Sequence, residues 1–210
     1  MNSLKNKRIL ITCGPTWIPI DAVRVISNVS SGAFGYAIAE EFINEKAKVT
    51  ILQGQVSVCP QPKAERVITY KFFDELAESL RKELRKKVDV VIHAAAVSDY
   101  QLRKSFKGKM SSSKNLKLDL VATPKIINSI KRINPNVFLV GFKLETNLSE
   151  EGAVKETKDL FKNSKCDLVV ANSIDKSYRG FLVRKNQVLN KASSRKQMAA
   201  ILVKTVKRLL

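Results

Sequence analysis

The sequence predicts an α/β protein with a Rossmann-like, three-layer α/β/α fold, in which a mainly parallel sheet carries an antiparallel hairpin at one edge. Three observations support this prediction. Apolar runs of strand length alternate with amphipathic stretches of helix length along most of the chain. The first strand leads through a glycine-bearing loop to a helix N-terminus, an arrangement that suits an anionic ligand. Two short apolar runs separated by Arg-Lys-Asn at residues 184–186 indicate the hairpin.

The elements follow from these patterns in chain order. The apolar, β-branched run at 9–12 predicts the first strand, Gly14-Pro15 ends it, and the helix that follows reaches about residue 46. Thr123-Pro124 predicts a helix start, with Thr123 as N-cap and Pro124 at the first helical position. Ser193 or Ser194 is expected to cap the last helix. The remaining predicted strands lie at 49–52, 66–70, 88–97, 116–121, 137–142, 167–171, 180–183 and 187–189, and the remaining helices lie at 73–87, 149–163 and 194–210.

The stretch 99–115 shows no periodicity and is rich in Lys, Ser and Gly. A loop of about seventeen residues inside a domain is longer than loops without a function usually are. We therefore expect a flexible flap at about 100–115 that closes over a site. Nothing else divides the chain, so residues 1–210 are expected to form a single domain.

The charge balance is strongly basic, with 38 Lys and Arg against 19 Asp and Glu and a net charge of +19. Such an excess attracts anions such as nucleotides and phosphorylated metabolites. The lysines are scattered over every predicted helix and form no single stripe, so nucleic-acid binding is not favoured. No apolar run approaches the roughly 20 residues of a membrane span. We find no signal peptide and expect a cytoplasmic protein.

The cysteines and the histidine argue against a metal site of the Cys/His type. Cys13, Cys59 and Cys166 show no CxxC spacing, and His93 is the only histidine. Cys13 and Cys166 lie within or beside predicted strands, where buried and unreactive thiols are usual.

Small residues mark the carboxyl end of the strand predicted at 88–97. Ala94, Ala95 and Ala96 would let a ligand approach the backbone at the edge where open α/β sheets bind ligands. Tight helix–sheet packing is the alternative explanation. Tyr100 and Lys104 match the YxxxK of short-chain dehydrogenases, but that pair requires a long helix to share one face. The segment shows no helical period and the first turn lacks GxGxxG, so hydride transfer is not favoured.

Five motifs resemble those of phosphopantothenate–cysteine ligases. The first, ITCGPTWIPIDAVRVISNVSSGAFGYAIAE, is similar almost residue for residue to the family pattern TxGxTxxPID-VRxIxNxSSGxxG. It is followed in family order and spacing by AAAVSDY, LKLDLVATPKII, VGFKLET and DLVVAN. The resemblance covers nearly the whole chain.

The resemblance implies a homodimeric enzyme of coenzyme A biosynthesis. Such enzymes activate the carboxylate of 4′-phosphopantothenate with a nucleoside triphosphate and Mg²⁺, release pyrophosphate, and then join the acyl group to the amine of L-cysteine. Bacterial members usually use CTP and eukaryotic ones ATP, and CTP is favoured here. The flavin-binding decarboxylase domain of bifunctional relatives has no counterpart in the chain, so we expect no flavin and a separate polypeptide for the next step. The alternative is an inactive nucleotide- or nucleic-acid-binding relative of the same fold.

The resemblance also implies roles for particular residues. Asn28 matches the asparagine beside the acyl group, where an amide can donate to a developing oxyanion. Asp99 matches an aspartate at the nucleotide, where its carboxylate could serve the ribose, the base or Mg²⁺. Lys109 matches the catalytic lysine of the flap, with Lys107 as the competing register. The expected nucleotide contacts are Gly14, Thr16, Ser31, Gly32, Ala94, Ala95, Ala96, Asp99, Lys109, Thr123, Pro124, Lys125, Ile126, Phe142, Lys158 and Lys162.

The chain departs from the family pattern at two places. Ser111 and Ser112 stand where many bacterial members have flap lysines, which is why the register of the flap lysine stays open. Lys125 replaces the usual Asp of the base-binding segment, which leaves the base open as well. Lys158 and Lys162 match a family KxxxK pair whose spacing puts both ammonium groups on one helix face, and an ordinary solvated face is the alternative.

Overall fold

The computed structural model describes residues 3–56, 61–104, 106, 108–111, 115–175 and 177–210. The strands are β1 (Arg8–Cys13), β2 (Trp17–Pro19), β3 (Val25–Ser27), β4 (Lys48–Gln53), β5 (Arg66–Thr69), β6 (Val90–His93), β7 (Tyr100–Leu102), β8 (Leu120–Ala122), β9 (Phe138–Leu144), β10 (Leu168–Ile174), β11 (Tyr178–Arg184) and β12 (Gln187–Ala192). The helices are α1 (Ala33–Asn44), α2 (Phe73–Leu84), α3 (Ile127–Ile133), α4 (Glu150–Asn163) and α5 (Arg195–Leu209).

The central sheet has eight strands in the order β12-β11-β10-β9-β6-β1-β4-β5. The strands from β10 to β5 pair in parallel, whereas β11 and β12 pair antiparallel at one edge. This confirms the predicted parallel sheet and its edge hairpin. The parallel strands are apolar on both faces, because helices cover both sides of the sheet.

Alternate residues of the central strands enter hydrophobic clusters on the two faces of the sheet. Ile9 and Ile11 of β1 pack in the cluster covered by α1 and α5, while Leu10 packs in the cluster covered by α2 and α3. A further cluster lies under α4. Helices on both faces of the sheet give the three layers that the sequence predicts. Within the described part of the chain, no helix combines the length and the apolar character that a membrane span requires.

The helix start predicted at Thr123-Pro124 is wrong, since α3 begins at Ile127. The Thr123 side chain does not cap a helix. Its hydroxyl donates to the Ser98 carbonyl at 2.7 Å and its N–H donates to the Asp99 carbonyl at 2.9 Å. Thr123 is therefore bound to the segment that follows β6. In contrast, Ser194 caps α5 by accepting the Gln197 N–H at 3.2 Å, as predicted.

Two short ribbons lie outside the central sheet and were not predicted. β2 and β3 form a hairpin in the stretch expected to be a loop. β7, at the start of the expected flap, pairs with β8, which is the end of the strand predicted at 116–121. The two ribbons pack against each other through β2 and β7.

Candidate active site

The sheet reverses its strand order at β1, because the chain leaves β1 toward β4 and later continues through β6 on the other side. Such a reversal opens a crevice at the carboxyl ends of the two neighbouring strands, where open α/β sheets bind ligands. Here the crevice lies between the segment that begins at Gly14 and the segment at 94–97.

Two glycines with left-handed backbone shape the loop beside this crevice. Gly14 has φ +79°, and Gly32, the N-cap of α1, has φ +75°, conformations that glycine adopts far more readily than other residues. A Cβ on either would come within 2.6–3.0 Å of Val56 Cγ1. No side chain among the described residues caps α1 at Gly32, although the Ser31 hydroxyl accepts the Ala33 N–H at 3.3 Å. The first turn of α1 is thus a suitable place for an anion.

Thr16 ties the two sides of the crevice together. Its N–H donates to the Ala96 carbonyl at 3.3 Å, and its hydroxyl accepts the Ser98 N–H at 2.9 Å. The residue is fully buried. Thr16 is therefore a buried structural support that joins the two walls of the crevice. Its predicted contact with a nucleotide stays a prediction.

Asn28 follows β3 and lies over the end of β6. Its Nδ2 group donates to the carbonyl oxygens of Ala96 and Val97, both at 3.3 Å. The Asn28 side chain is exposed and Ala94, Ala95 and Ala96 are half-buried, so this strand end is open to a ligand. The structure thus brings two of the quoted motifs into contact.

Asp99 meets the segment at 123–126. The Lys125 ammonium lies 2.5 Å from Asp99 Oδ1, and both side chains are largely exposed. Pro124 is exposed, whereas Ile126 is buried in the core beneath. Lys125, which departs from the family pattern, therefore forms a surface ion pair with Asp99.

A magnesium site made only of protein groups does not fit these residues. No three His, Cys, Asp or Glu side chains of the described ranges come together. Asp99 offers one carboxylate, and Lys125 already engages one of its oxygens. Such a donor set fits a Mg²⁺ that is held mainly by triphosphate oxygens and water, as is usual for this ion.

Lys109 is exposed and lies against the turn between β2 and β3. The Gly108 carbonyl accepts the Ala22 N–H at 3.1 Å, and the Met110 N–H donates to Asp21 Oδ2 at 3.1 Å. Lys109 is thus brought near the hairpin that precedes Asn28. Lys107 and Ser112 lie outside the described residues, so the choice of Lys109 over Lys107 stays a prediction.

Phe142 belongs to an aromatic group beside α1. Its ring packs edge-on against Phe34 with centroids 5.5 Å apart, and Phe34 packs in the same way against Tyr178 at 6.0 Å. The Arg195 guanidinium lies 5.6 Å from the Tyr178 ring centroid. Phe34 and Tyr178 were not predicted as neighbours of the site, because an aromatic residue at helical or strand spacing reads as core.

Lys158 and Lys162 lie exposed on α4. This helix buries Ala153 and Thr157 against the sheet. Among the described residues, no contact joins the two lysines to Asn28, Asp99 or Phe142. Their role at the triphosphate therefore stays a prediction.

The size of a cavity does not identify the site. A groove of about 880 Å³ lies between α1 and α5 and is lined by Glu41, Glu45, Lys204 and Lys207, among others. None of the predicted site residues lines it. The convergence of strand ends, a helix N-terminus and motif residues identifies the crevice instead.

Comparison with known proteins identifies the family. The family model described as the DNA/pantothenate metabolism flavoprotein C-terminal domain matches residues 4–208. The chain belongs to this family.

Relatives support the membership. The coenzyme A biosynthesis bifunctional protein CoaBC of Thermococcus kodakarensis is 43% identical over 173 residues, which is 82% of this chain and 42% of the relative. CoaBC of Methanocaldococcus jannaschii is 35% identical over 220 residues, which is 100% of this chain and 53% of the relative. The chain thus spans about half the length of the curated relatives it matches.

A solved structure of a relative confirms the fold of this chain. The crystal structure of the C-terminal domain of CoaBC superposes with a TM-score of 0.81 at 29% identity, covering 100% of this chain and 98% of the other. The Rossmann-like α/β class predicted from the sequence is therefore correct.

Asp21 and Arg24 were not predicted as site residues, although the first family motif contains them. Their side chains pair through two hydrogen bonds at 2.9 and 2.6 Å, and both contact Met110 next to Lys109. The available signal in the sequence was the position of Asp21 three residues before Arg24, a spacing at which the two side chains can pair.

Proposed function

We propose that this chain is a phosphopantothenate–cysteine ligase that joins 4′-phosphopantothenate and L-cysteine into 4′-phosphopantothenoyl-L-cysteine. One observation carries the proposal. The Asn28 amide contacts the carbonyl oxygens of Ala96 and Val97, so two motifs far apart in the sequence meet over the crevice at β1 and β6. The names of the relatives, which are bifunctional proteins of coenzyme A biosynthesis, agree with it.

The reaction has two steps and no change of oxidation state. A carboxylate oxygen of 4′-phosphopantothenate attacks the α-phosphorus of the nucleoside triphosphate, a new O–P bond forms, and pyrophosphate leaves. The amine of cysteine then attacks the acyl carbon and loses a proton, and the nucleoside monophosphate leaves with the bridging oxygen. A flavin has no part in either step.

The chemistry asks the protein mainly for positioning and for neutralisation of negative charge. In our proposal the Asn28 amide exchanges one of its two long bonds to backbone carbonyl oxygens for the acyl oxygen as charge develops there. The Lys109 ammonium binds the phosphate that links acyl group and nucleoside, and the α1 N-terminus holds further phosphate oxygens. Asp99 with the segment at 123–126 holds the nucleoside, with Phe142 as an aromatic wall. Lys158 and Lys162 are proposed to approach the triphosphate.

The nucleotide is proposed to be CTP rather than ATP, and Mg²⁺ is proposed to enter with the triphosphate. Bound in that way, the ion would spread the negative charge of the phosphate oxygens, with Asp99 as the available carboxylate. The protein residues alone would still orient both substrates.

A homodimer in the cytoplasm completes the proposal. Val23 and Val29 of the β2–β3 region are 64% and 106% exposed. Exposed apolar side chains on one short segment, here residues 23–29, offer a candidate surface for such contact. A second copy of the chain covering this hairpin would place the partner close to Asn28.

Pyrophosphate release tests the proposed function. The purified chain is incubated with CTP, ATP, GTP or UTP, with and without 4′-phosphopantothenate and cysteine. We expect release only when 4′-phosphopantothenate is present, and fastest with CTP. If no pyrophosphate appears with any nucleotide while labelled RNA or DNA binds tightly at physiological salt, the chain is a binding relative and the ligase proposal is wrong.

A further inference from the structure

The turn between β2 and β3 contains a fully buried carboxylate, that of Asp21, with 0% of its side chain exposed. Oδ1 accepts the backbone N–H groups of Val23 at 3.0 Å and Arg24 at 2.8 Å. Oδ2 accepts Arg24 Nε at 2.9 Å, Arg24 Nη2 at 2.6 Å and the Met110 N–H at 3.1 Å. The Arg24 guanidinium and the Val23 N–H hold the pKa of this carboxyl well below its usual range, so Asp21 is charged at neutral pH.

The chain on the other side of these bonds is the segment that carries Lys109. Met110 is held at both of its backbone polar groups, because its N–H donates to Asp21 and its carbonyl accepts Arg24 Nη2 at 2.7 Å. The Gly108 carbonyl accepts the Ala22 N–H at 3.1 Å. Lys109 therefore lies between two anchored residues, while its own side chain stays exposed.

The same hairpin carries Asn28. Arg24 immediately precedes β3, and Asn28 immediately follows it. The Asn28 amide is in turn tied to the end of β6. The β2–β3 hairpin thus holds both the backbone around Lys109 and the side chain of Asn28. The Asp21 carboxylate makes the bond that links this hairpin to the Lys109 segment.

We infer that Asp21 is a positioning residue that fixes Lys109 relative to Asn28, acting through Arg24 and the backbone of Met110. The inference rests on the proposed function, in which both of these residues act on the reacting acyl phosphate. Asp21 touches no substrate in this account. A turn that needed only local stability would use the bonds to Val23 and Arg24, whereas Met110 lies 89 residues further along the chain. Misplacement of a reacting group by 1 Å can lower a rate by about 100-fold.

Two variants and a matched control test this inference. Asp21→Ala removes all the bonds, and Asp21→Asn keeps the shape and one acceptor oxygen. Asp89→Asn is the control, because Asp89 also accepts a backbone N–H, that of Arg8 at 2.8 Å, and also pairs with a cation, Lys7 at 3.5 Å. Asp89 precedes β6, so it lies at the amino ends of the parallel strands, whereas the crevice lies at their carboxyl ends.

Two readouts separate positioning from folding. Amide hydrogen exchange of Met110, followed by NMR in the ligand-free protein, reports the anchor directly and needs no activity. We expect it to accelerate by about tenfold or more in Asp21→Ala while the amides of β1 stay protected. In the pyrophosphate assay we expect kcat to fall about 10- to 100-fold with KM within about threefold. Asp21→Asn should lie between wild type and Asp21→Ala, and Asp89→Asn should match wild type.

Each outcome either supports or overturns the inference. Unchanged exchange of Met110 in Asp21→Ala, or a loss of kcat no greater than in Asp89→Asn, would overturn the inference. If Asp21→Ala does not fold, the milder Asp21→Asn variant decides by the same two readouts. If the wild-type chain releases no pyrophosphate, the proposed function fails, and the exchange of Met110 still shows whether Asp21 anchors the lysine segment.

Discussion

Replacement of Gly35 by alanine tests whether the close approach of α1 to β1 supports the site. Gly35 lies in the first turn of α1, and a Cβ added there would overlap the Cβ of Cys13 and lie 3.4 Å from its Sγ. Since nonbonded carbon atoms rest about 3.5–4.0 Å apart, α1 would have to move away from β1 by about 1 Å. The glycine is therefore needed for packing, and its replacement strains the region that holds the N-terminus of α1.

The expected loss follows from this overlap. Overpacking of a core costs about 1–3 kcal/mol in the free energy of unfolding. In a domain of this size that corresponds to a fall in Tm of about 2–12 °C. Because the first turn of α1 is part of the proposed phosphate site, kcat/KM for pyrophosphate release should also fall, by up to about 100-fold.

Thermal unfolding followed by circular dichroism and the pyrophosphate assay measure the two effects. Gly152→Ala, in the first turn of α4, is the control. A Cβ there would lie 3.2 Å from Ser149 Oγ and 3.5 Å from Leu148 Cδ1, so it would overlap no atom as severely as a Cβ at Gly35. We expect that variant to change stability by less than about 1 kcal/mol. A Gly35→Ala protein that melts and turns over like Gly152→Ala would refute the argument.

Three further predictions concern single side chains. Asn28→Asp should keep the fold and nucleotide binding but stall turnover at the acyl-nucleotide, seen as its accumulation by mass spectrometry; unchanged steady-state rates would contradict the role of the amide. Lys109→Gln should lower kcat for pyrophosphate release far more than Lys107→Gln, by about 100-fold for the loss of one stabilising group, and equal effects would show that the flap register is wrong. Burial lowers the pKa of His93 from 6.5 to about 4, so the unfolded state binds the extra proton between these values and stability falls as pH is lowered through this window. Urea unfolding at pH 7, 6 and 5 should show wild type losing up to about 1.4 kcal/mol per pH unit more than His93→Gln, and parallel pH profiles of the two proteins would be the contrary result.

The central sheet could be predicted because its strands are buried on both faces. The runs at 9–12 and 90–93 contain only apolar residues apart from Thr12 and His93, and these two side chains bond to each other at 3.0 Å. Continuous apolar runs of that length are typical of strands in a sheet that is covered on both sides. The cap of α5 at Ser194 was also predictable, since a cap depends on residues close in sequence.

The errors arose where distant residues decide local structure. Thr123-Pro124 has the local pattern of a helix start, yet the Thr123 hydroxyl and N–H bind Ser98 and Asp99, about two dozen residues earlier. The ribbons β2–β3 and β7–β8 are short and largely exposed, so no hydrophobic period marks them. The importance of Asp21 likewise depends on its bond to Met110, which no local pattern reveals.

The candidate site was predicted in part. The contact of Asn28 with Ala96 and the approach of Asp99 to the segment at 123–126 agree with the motifs. The ion pair of Lys125 with Asp99 was not predicted, because Lys125 replaces the residue on which the family pattern is based. The orientation of Lys158 and Lys162 toward solvent depends on how α4 packs on the sheet, which the KxxxK spacing alone does not determine.

Mass spectrometry of the reaction without cysteine tests the central claim most directly. With CTP, Mg²⁺ and 4′-phosphopantothenate, we expect a species with the mass of 4′-phosphopantothenoyl-CMP, formed together with pyrophosphate and converted to 4′-phosphopantothenoyl-L-cysteine and CMP when cysteine is added. Absence of any acyl-nucleotide with each of the four nucleotides, together with no amide product after cysteine is added, would contradict the account.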